Sequence, residues 1–149
     1  MDLHNAHIIH AEEDADFDQI FTIREAVFQD EMGVPEEAQI DGFDHVAHHY
    51  IMVCDTKAVG VSRWRVTLGG NIRLERLAIL SDYRRQGLGR AMMEKMLADI
   101  PKNRRTHIEC PSSQVAYYQT FGFVKEDEEF DFQGIPHQRM ELLRLGSVT

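Results

Sequence analysis

The spacing of apolar residues changes period several times along this chain, and each change marks an element. Residues LHNAHIIHA read as a short first strand, and from Asp14 a helical period takes over. Phe17, Ile20, Phe21, Val27 and Phe28 then recur three and four apart, one face of a helix. Arg24 stands within that stripe, where an apolar residue is expected. It either lines a ligand pocket or, as buried arginines more commonly do, pairs internally with one of the segment's many carboxylates. Gly33 and Pro35 interrupt the helix, EEAQI opens a short second one, and DGFD supplies a turn. HHYIMVCD and AVGVSRWRVTL alternate as two strands joined by a DTK turn. NIRLERLAIL follows as a strand, with Ile72, Leu74, Arg76 and Ala78 on one face and Glu75, Leu77 and Ile79 on the other.

The period then returns to that of a helix from about Gly87. Leu88, Met92, Met93, Met96, Leu97 and Ile100 form its broad packing stripe, and Pro101 ends it. THIEC is a short strand, and Ser112 or Ser113 is placed to cap a helix over SQVAYYQTF that stops at Gly122. Two strands close the pattern, around GFVKEDEEF and PHQRMELLRL. The order describes a mixed α/β domain in which the helix from Gly87 joins two strands able to lie parallel.

Length and composition narrow the class without naming a chemistry. At 149 residues the chain reads as a single domain, residues 1–149, long enough to bury a core without metals or disulfides. No run approaches the roughly 18 apolar residues that span a bilayer, and the first residues lack the basic and apolar regions of a signal peptide. Cys54 and Cys110 form no CxxC pair and suit free thiols in a reducing compartment, so a cytoplasmic location is expected.

Charge changes the picture more. The formal net charge is -9, yet residues 61–105 carry 11 bases against 4 acids, while residues 1–60 carry 14 acids against 2 bases. A long nucleic acid would be repelled by the acidic flanks, whereas a compact polyanion fits the basic centre. Within that centre lies RRQGLGR, residues 84–90, between a strand and a helix. The first turn of a helix offers unpaired N–H groups and about half a positive charge. Gly87 and Gly89 remove the Cβ atoms that would keep a phosphate away, and Arg84, Arg85 and Arg90 add attraction. A dinucleotide fingerprint would need glycine or alanine where Met92 stands, and a Walker A loop would need GK[ST]. What remains is R-x-x-G-x-G opening a helix.

Residues 74–97, LERLAILSDYRRQGLGRAMMEKML, closely resemble the acetyl-CoA-binding motif of the GNAT superfamily of N-acetyltransferases. Downstream, AYYQTFGFV resembles that family's second signature, and the order of elements matches the family along most of the chain. FTIREAVFQDEMGVPEE, FDHVAHHY and GIPHQRMEL are similar to the branch that contains ElaA and YjcF. The resemblance implies a GNAT acyl-CoA N-acyltransferase fold, a mixed central sheet of about six or seven strands flanked by helices, with a V-shaped cofactor cleft. It implies acetyl-CoA as co-substrate, no metal, and transfer of an acetyl group directly to a primary amine. Backbone amides of Gln86, Gly87, Leu88, Gly89 and Arg90 would hold the pyrophosphate, with Arg84, Arg85 and Arg90 near the remaining phosphate charge. The pantetheine arm would pair with the main chain of Leu77, Ala78 and Ile79, and Gln114 would reach it from the next helix. Tyr118 matches the tyrosine of YxxxGF, whose hydroxyl would serve the departing sulfur, and Glu75 lies where some members carry a carboxylate that deprotonates the amine through water.

Other residues read more plainly. Tyr117 is expected to pack. His45, His48 and His49 match no zinc spacing and are expected as strand and turn residues. His137 faces the cleft only by likeness to the branch. Cys110 is expected to be a small buried hydrophobe, since direct transfer gives it no task. The partners implied are a small amine acceptor, which the acidic flanks incline toward a cationic one, with no nucleic acid or membrane, and a homodimer through the last strands. A GNAT-like module that senses acyl-CoA without turnover is the competing reading, and a nucleotide-binding domain stabilised by NADH ranks last.

Overall fold

The structure, a computed structural model, describes residues 5–144. Leu3 and His4 of the predicted first strand and Leu145 of the predicted last one lie outside the described residues. Seven strands form one mixed sheet: β1 (Ala6–His10), β2 (His48–Cys54), β3 (Lys57–Val66), β4 (Ile72–Ile79), β5 (Thr106–Pro111), β6 (Phe123–Phe132) and β7 (Ile135–Leu142). Their order in the sheet is β1-β2-β3-β4-β5-β7-β6. The helices are α1 (Asp14–Arg24), α2 (Glu36–Gln39), α3 (Leu88–Asp99) and α4 (Val115–Gln119). Among the described residues no helix is long and apolar enough to cross a membrane. The contacts divide the chain into two compact units, one of residues 1–65 and 76–100 and the other of residues 66–75 and 101–149.

In the first unit, Glu13 precedes α1 in extended conformation and forms a reciprocal capping box with Asp16. The predicted helix does not stop at Arg24. It continues through Glu25–Glu31 as a π-helical segment, a wider winding that no three-and-four spacing announces. Ile20, Ile23 and Val27 from this helical stretch are buried in one cluster with Ile51, Val61 and Ala78 of the strands. Strand β1 pairs antiparallel with β2, and β2 antiparallel with β3. Gly60 is what lets β3 lie so close to its neighbour. A Cβ there would meet Ile79 Cδ1 at 2.5 Å and the Ala78 carbonyl oxygen at 3.3 Å.

The alternation read along β4 is interrupted. Ile72, Leu74 and Ala78 are buried as expected, but Arg76 adopts a left-handed backbone with φ 57°, unusual for a residue with a side chain. Its guanidinium explains the cost being met, since Nε donates to the Gln39 carbonyl oxygen at 3.0 Å and NH2 to Asp41 Oδ2 at 3.1 Å.

That contact belongs to a buried network. Arg24 and Arg63 are 1% and 0% exposed. Arg24 donates to Asp44 at 2.7 Å, to Gln39 Oε1 at 2.8 Å and to the Gln39 carbonyl at 2.7 Å. Arg63 donates to Asp44 at 2.6 Å and grips both oxygens of Asp41, at 3.1 and 2.5 Å. Arg24 is therefore an internally paired arginine. His49 Nε2 lies 2.8 Å from the Asp44 carbonyl, and burial holds its pKa down, so the imidazole joins the network neutral.

In the second unit, β5 and β6 both pair antiparallel with β7. Strands β4 and β5 run parallel, with a register of two pairs, Ile72–Thr106 and Arg73–His107. The expected serine cap is not formed. Residues Ser112–Gln114 make a 3-10 turn, Gln114 occupies the cap position without a side-chain hydrogen bond, and α4 is only five residues long.

Asp41 carries the testable consequence. Burial pulls its pKa up, but hydrogen bonds from Arg63 and the Phe43 N–H and the charges of Arg63 and Arg76 outweigh this, lowering it from 3.8 to about 2. A lowered folded-state pKa contributes stability that is complete above 3.8 and is lost as pH falls through 2. Asp41→Asn should destabilise the protein by about 3 kcal/mol at pH 7, because Arg63 keeps its burial but loses a charge partner. In urea melts the gap from wild type should narrow as pH drops through that window; a gap independent of pH would contradict the assignment.

Candidate active site

The loop that the sequence singles out joins β4 to α3. Strand β4 ends at Ile79, a 3-10 turn covers Ser81–Tyr83, and the chain reaches α3 through Arg85 in left-handed conformation (φ 63°) and Gly87 (φ 83°). Gly87 is the residue before the first helical one, and it has no side chain with which to cap the helix. The first intrahelical bond runs from the Ala91 N–H to the Gly87 carbonyl at 3.0 Å. The N–H groups of Leu88 and Gly89 come before it, so helix geometry gives them no carbonyl one turn back. No acid lies in this first turn. The turn therefore offers backbone donors and a positive dipole end, the requirements for an anion. Leu88, Met92, Met93 and Met96 are buried and anchor the helix from its other face.

The arginines of the loop have separate places. Arg84 donates from its two terminal nitrogens to Glu31, at 2.5 and 2.7 Å, and from Nε to the Ile79 carbonyl at 2.8 Å. The bidentate pair pushes the pKa of Glu31 below its ordinary value. Arg84 thus fixes the end of β4 against the π-helical segment. Arg85 and Gln86 are exposed, and Arg90 lies 3.9 Å from Glu94 one turn along the helix. Leu77 and Ile79 are partly buried beside buried Ala78. All of these residues belong to the first unit.

Glu75, Gln114 and Tyr118 belong to the second unit. The Glu75 carboxylate is 6% exposed and lies 2.9 Å from Arg73 Nε, close enough for an ion pair although the N–H is not aligned for a hydrogen bond. Gln114 is exposed at the start of α4. Tyr118 is partly buried and meets Phe123 edge-on at 6.4 Å, while Tyr117, its T-shaped neighbour at 5.2 Å, is 36% exposed. Burial first, then the neighbouring Cys110 and Tyr117, push the Tyr118 pKa above the ordinary tyrosine range. Its phenol is protonated at every working pH and can donate. Cys110 is buried, 3.8 Å from Met140 Sδ, and burial raises its thiol to about 11, so it is no nucleophile. His137 is 9% exposed and its Nδ1 lies 2.9 Å from the Ile135 carbonyl. Glu31 carries no signal in the sequence, since its place in an acidic helix end gives no sign that it holds Arg84.

Residues 11–144 match the acetyltransferase (GNAT) domain family, and the chain belongs to it. It is an acyltransferase of the ElaA/YjcF type. It is 34% identical to the uncharacterized N-acetyltransferase YjcF of Bacillus subtilis over 124 residues, 80% of this chain and 87% of YjcF. Its fold superposes on that of an acyl-CoA N-acyltransferase from Pseudomonas aeruginosa with a TM-score of 0.83, at 25% identity, covering 93% of this chain and 98% of that one. Escherichia coli ElaA shares the fold with a TM-score of 0.81, at 21% identity and the same coverage.

Gly87 isolates the conformational requirement of the loop. A Cβ there meets nothing within 4 Å, so Gly87→Ala carries no steric clash, only the penalty of a left-handed backbone. It should lower the free energy of unfolding in urea by about 1 kcal/mol; an unchanged or raised value would show that the turn relaxes out of the left-handed region.

Proposed function

We propose that this protein moves an acetyl group from acetyl-CoA directly to a primary amine of a small acceptor. The observation that carries this reading is the start of α3, where Gly87 turns the chain left-handed and the Leu88 and Gly89 N–H groups precede the first intrahelical bond. In this reading the backbone from Gln86 to Arg90 binds the pyrophosphate, and exposed Arg85 adds charge. The main chain of Leu77–Ile79 receives the pantetheine arm. Arg84, engaged with Glu31, holds the loop in shape.

The chemistry then needs few groups. A neutral amine nitrogen attacks the thioester carbonyl, and the charge that develops on oxygen needs a fixed donor, here the Ile79 N–H. The C–N bond forms as the C–S bond breaks, and the Tyr118 hydroxyl donates to the departing sulfur. A phenol whose pKa is raised gives up its proton to a thiolate unfavourably, so the hydrogen bond carries the larger share of the stabilisation. Glu75 is the candidate acceptor, through water, for the proton the amine loses.

Two substitutions test the reading. An acid in the first turn favours the helix dipole and repels phosphate, so Gly89→Asp should fold normally but abolish the rise in melting temperature that acetyl-CoA gives the wild type. If the rise persists, the phosphates bind elsewhere. Tyr118→Phe should keep that rise and lower kcat by about 10- to 100-fold in a thiol-release assay with an amine panel. An unchanged kcat would remove Tyr118 from the chemistry.

A further inference from the structure

One side-chain cluster lies outside everything assigned above. In the second unit His107 on β5 stands directly opposite Glu141 on β7, and Glu126 on β6 stands opposite Arg139 on β7. His107, Glu126 and Glu141 each bring one ligand atom to within 4.8 Å of the others. His107 Nδ1 is 3.6 Å from Glu126 Oε1.

The imidazole is the unusual member. His107 is 5% exposed, and neither of its ring nitrogens has a hydrogen-bond partner. A buried polar group without a partner is costly and rare in a folded protein, and here it is aimed at two carboxylates. One oxygen of Glu126 is also buried without a hydrogen bond. The Glu126 and Glu141 carboxylates each bring an oxygen within 4.8 Å of the other, so two acids face one another across β6 and β7.

The two carboxylates are also met by guanidiniums: Arg105 pairs with both Glu141 and Glu126, and Arg139 with Glu126. Two acids thus face two arginines, and the imidazole between them is left without a hydrogen bond. We propose that His107, Glu126 and Glu141 bind a divalent transition-metal cation of the zinc class, with Nδ1 and one oxygen from each carboxylate as ligands. One nitrogen and two oxygens suit Zn2+ or Co2+ and leave a coordination position for water. Bonds of about 2.1 Å set neighbouring ligand atoms roughly 3.4 Å apart in a tetrahedron, so side-chain rotations of about 1 Å close the set. Arg105 holds Glu141 at 2.5 and 2.9 Å, but its side chain is 64% exposed and can turn into solvent. Arg139 and Arg105 otherwise orient the carboxylates, as outer partners of metal ligands commonly do. Such an ion would tie β5, β7 and β6 together.

The test uses the full chain freed of metal by a chelator and titrated calorimetrically with Zn2+, and with Co2+ followed by visible absorption. One saturable equivalent is expected, with a raised melting temperature. His107→Gln and Glu126→Gln should each weaken it at least about tenfold. Binding undiminished in both variants would assign the ion to other histidines, such as His7 and His10, and overturn the proposal, as would no saturable binding of either metal. Should neither variant fold, the Co2+ spectrum decides. Visible bands of nitrogen and oxygen ligation that persist in a His7→Gln, His10→Gln double variant support the site; their loss in that variant, or an intense thiolate charge-transfer band that places the ion on a cysteine, would refute it.

Discussion

Arg63 and Arg24 are buried where water cannot solvate them, and the first unit is built around supplying what water would have given. An isolated buried guanidinium costs several kcal/mol, so the segment that brings its counter-charge must fold in one place or the arginine cannot be buried at all. Asp41 and Asp44 come from a single stretch after α2, and between them they meet Arg24 from α1, Arg63 from β3 and Arg76 from β4. One short acidic stretch therefore fixes the position of a helix and two strands. It also holds Arg76 in the left-handed conformation that interrupts β4 just before Leu77, Ala78 and Ile79.

Seen this way, the uneven charge of the chain has a different meaning from the one it first suggests. The basic centre of residues 61–105 does not present all its cations to a ligand. Arg63 and Arg76 are answered by Asp41 and Asp44, and Arg84 by Glu31, all acids of the first 60 residues. In the proposed function the anion is held instead by main-chain N–H groups at the start of α3, with Arg85 exposed beside them. In that reading side-chain cations shape the loop, and backbone dipoles recognise the phosphates. That division suits a site that binds and releases a ligand, since a buried arginine bound to a departing anion would be left unsatisfied at each release.

The same distinction separates what could be read from the sequence from what could not. Strand β4, helix α3 and the loop between them were legible because they depend on local facts: alternation, a helical stripe, and two glycines at a helix start. The two motifs of the family, and with them the fold, were legible for the same reason. The π-helical turn of Glu25–Glu31 was not, because widening one turn leaves the apolar spacing nearly unchanged. Nor was the left-handed Arg76, which looks like any alternating strand residue until Asp41 and the Gln39 carbonyl are seen to hold it. The serine cap failed for a related reason, since a 3-10 turn over Ser112–Gln114 moves the helix start past both serines. Ion pairs between distant segments leave no trace in spacing. Arg24 announced only that it needed a partner, and its partner lay twenty residues away on a turn.

Tyr118 and Cys110 show how one burial can assign opposite tasks. Desolvation raises both pKa values because it penalises the anion in each case. For a thiol this removes reactivity, since only the thiolate attacks. For a phenol it keeps the hydrogen in place, which the proposed role of Tyr118 at the departing sulfur requires. An apolar setting for both groups is thus consistent with a direct transfer that needs a proton donor and no enzyme nucleophile. It would be the wrong setting for a mechanism that passes the acyl group through Cys110.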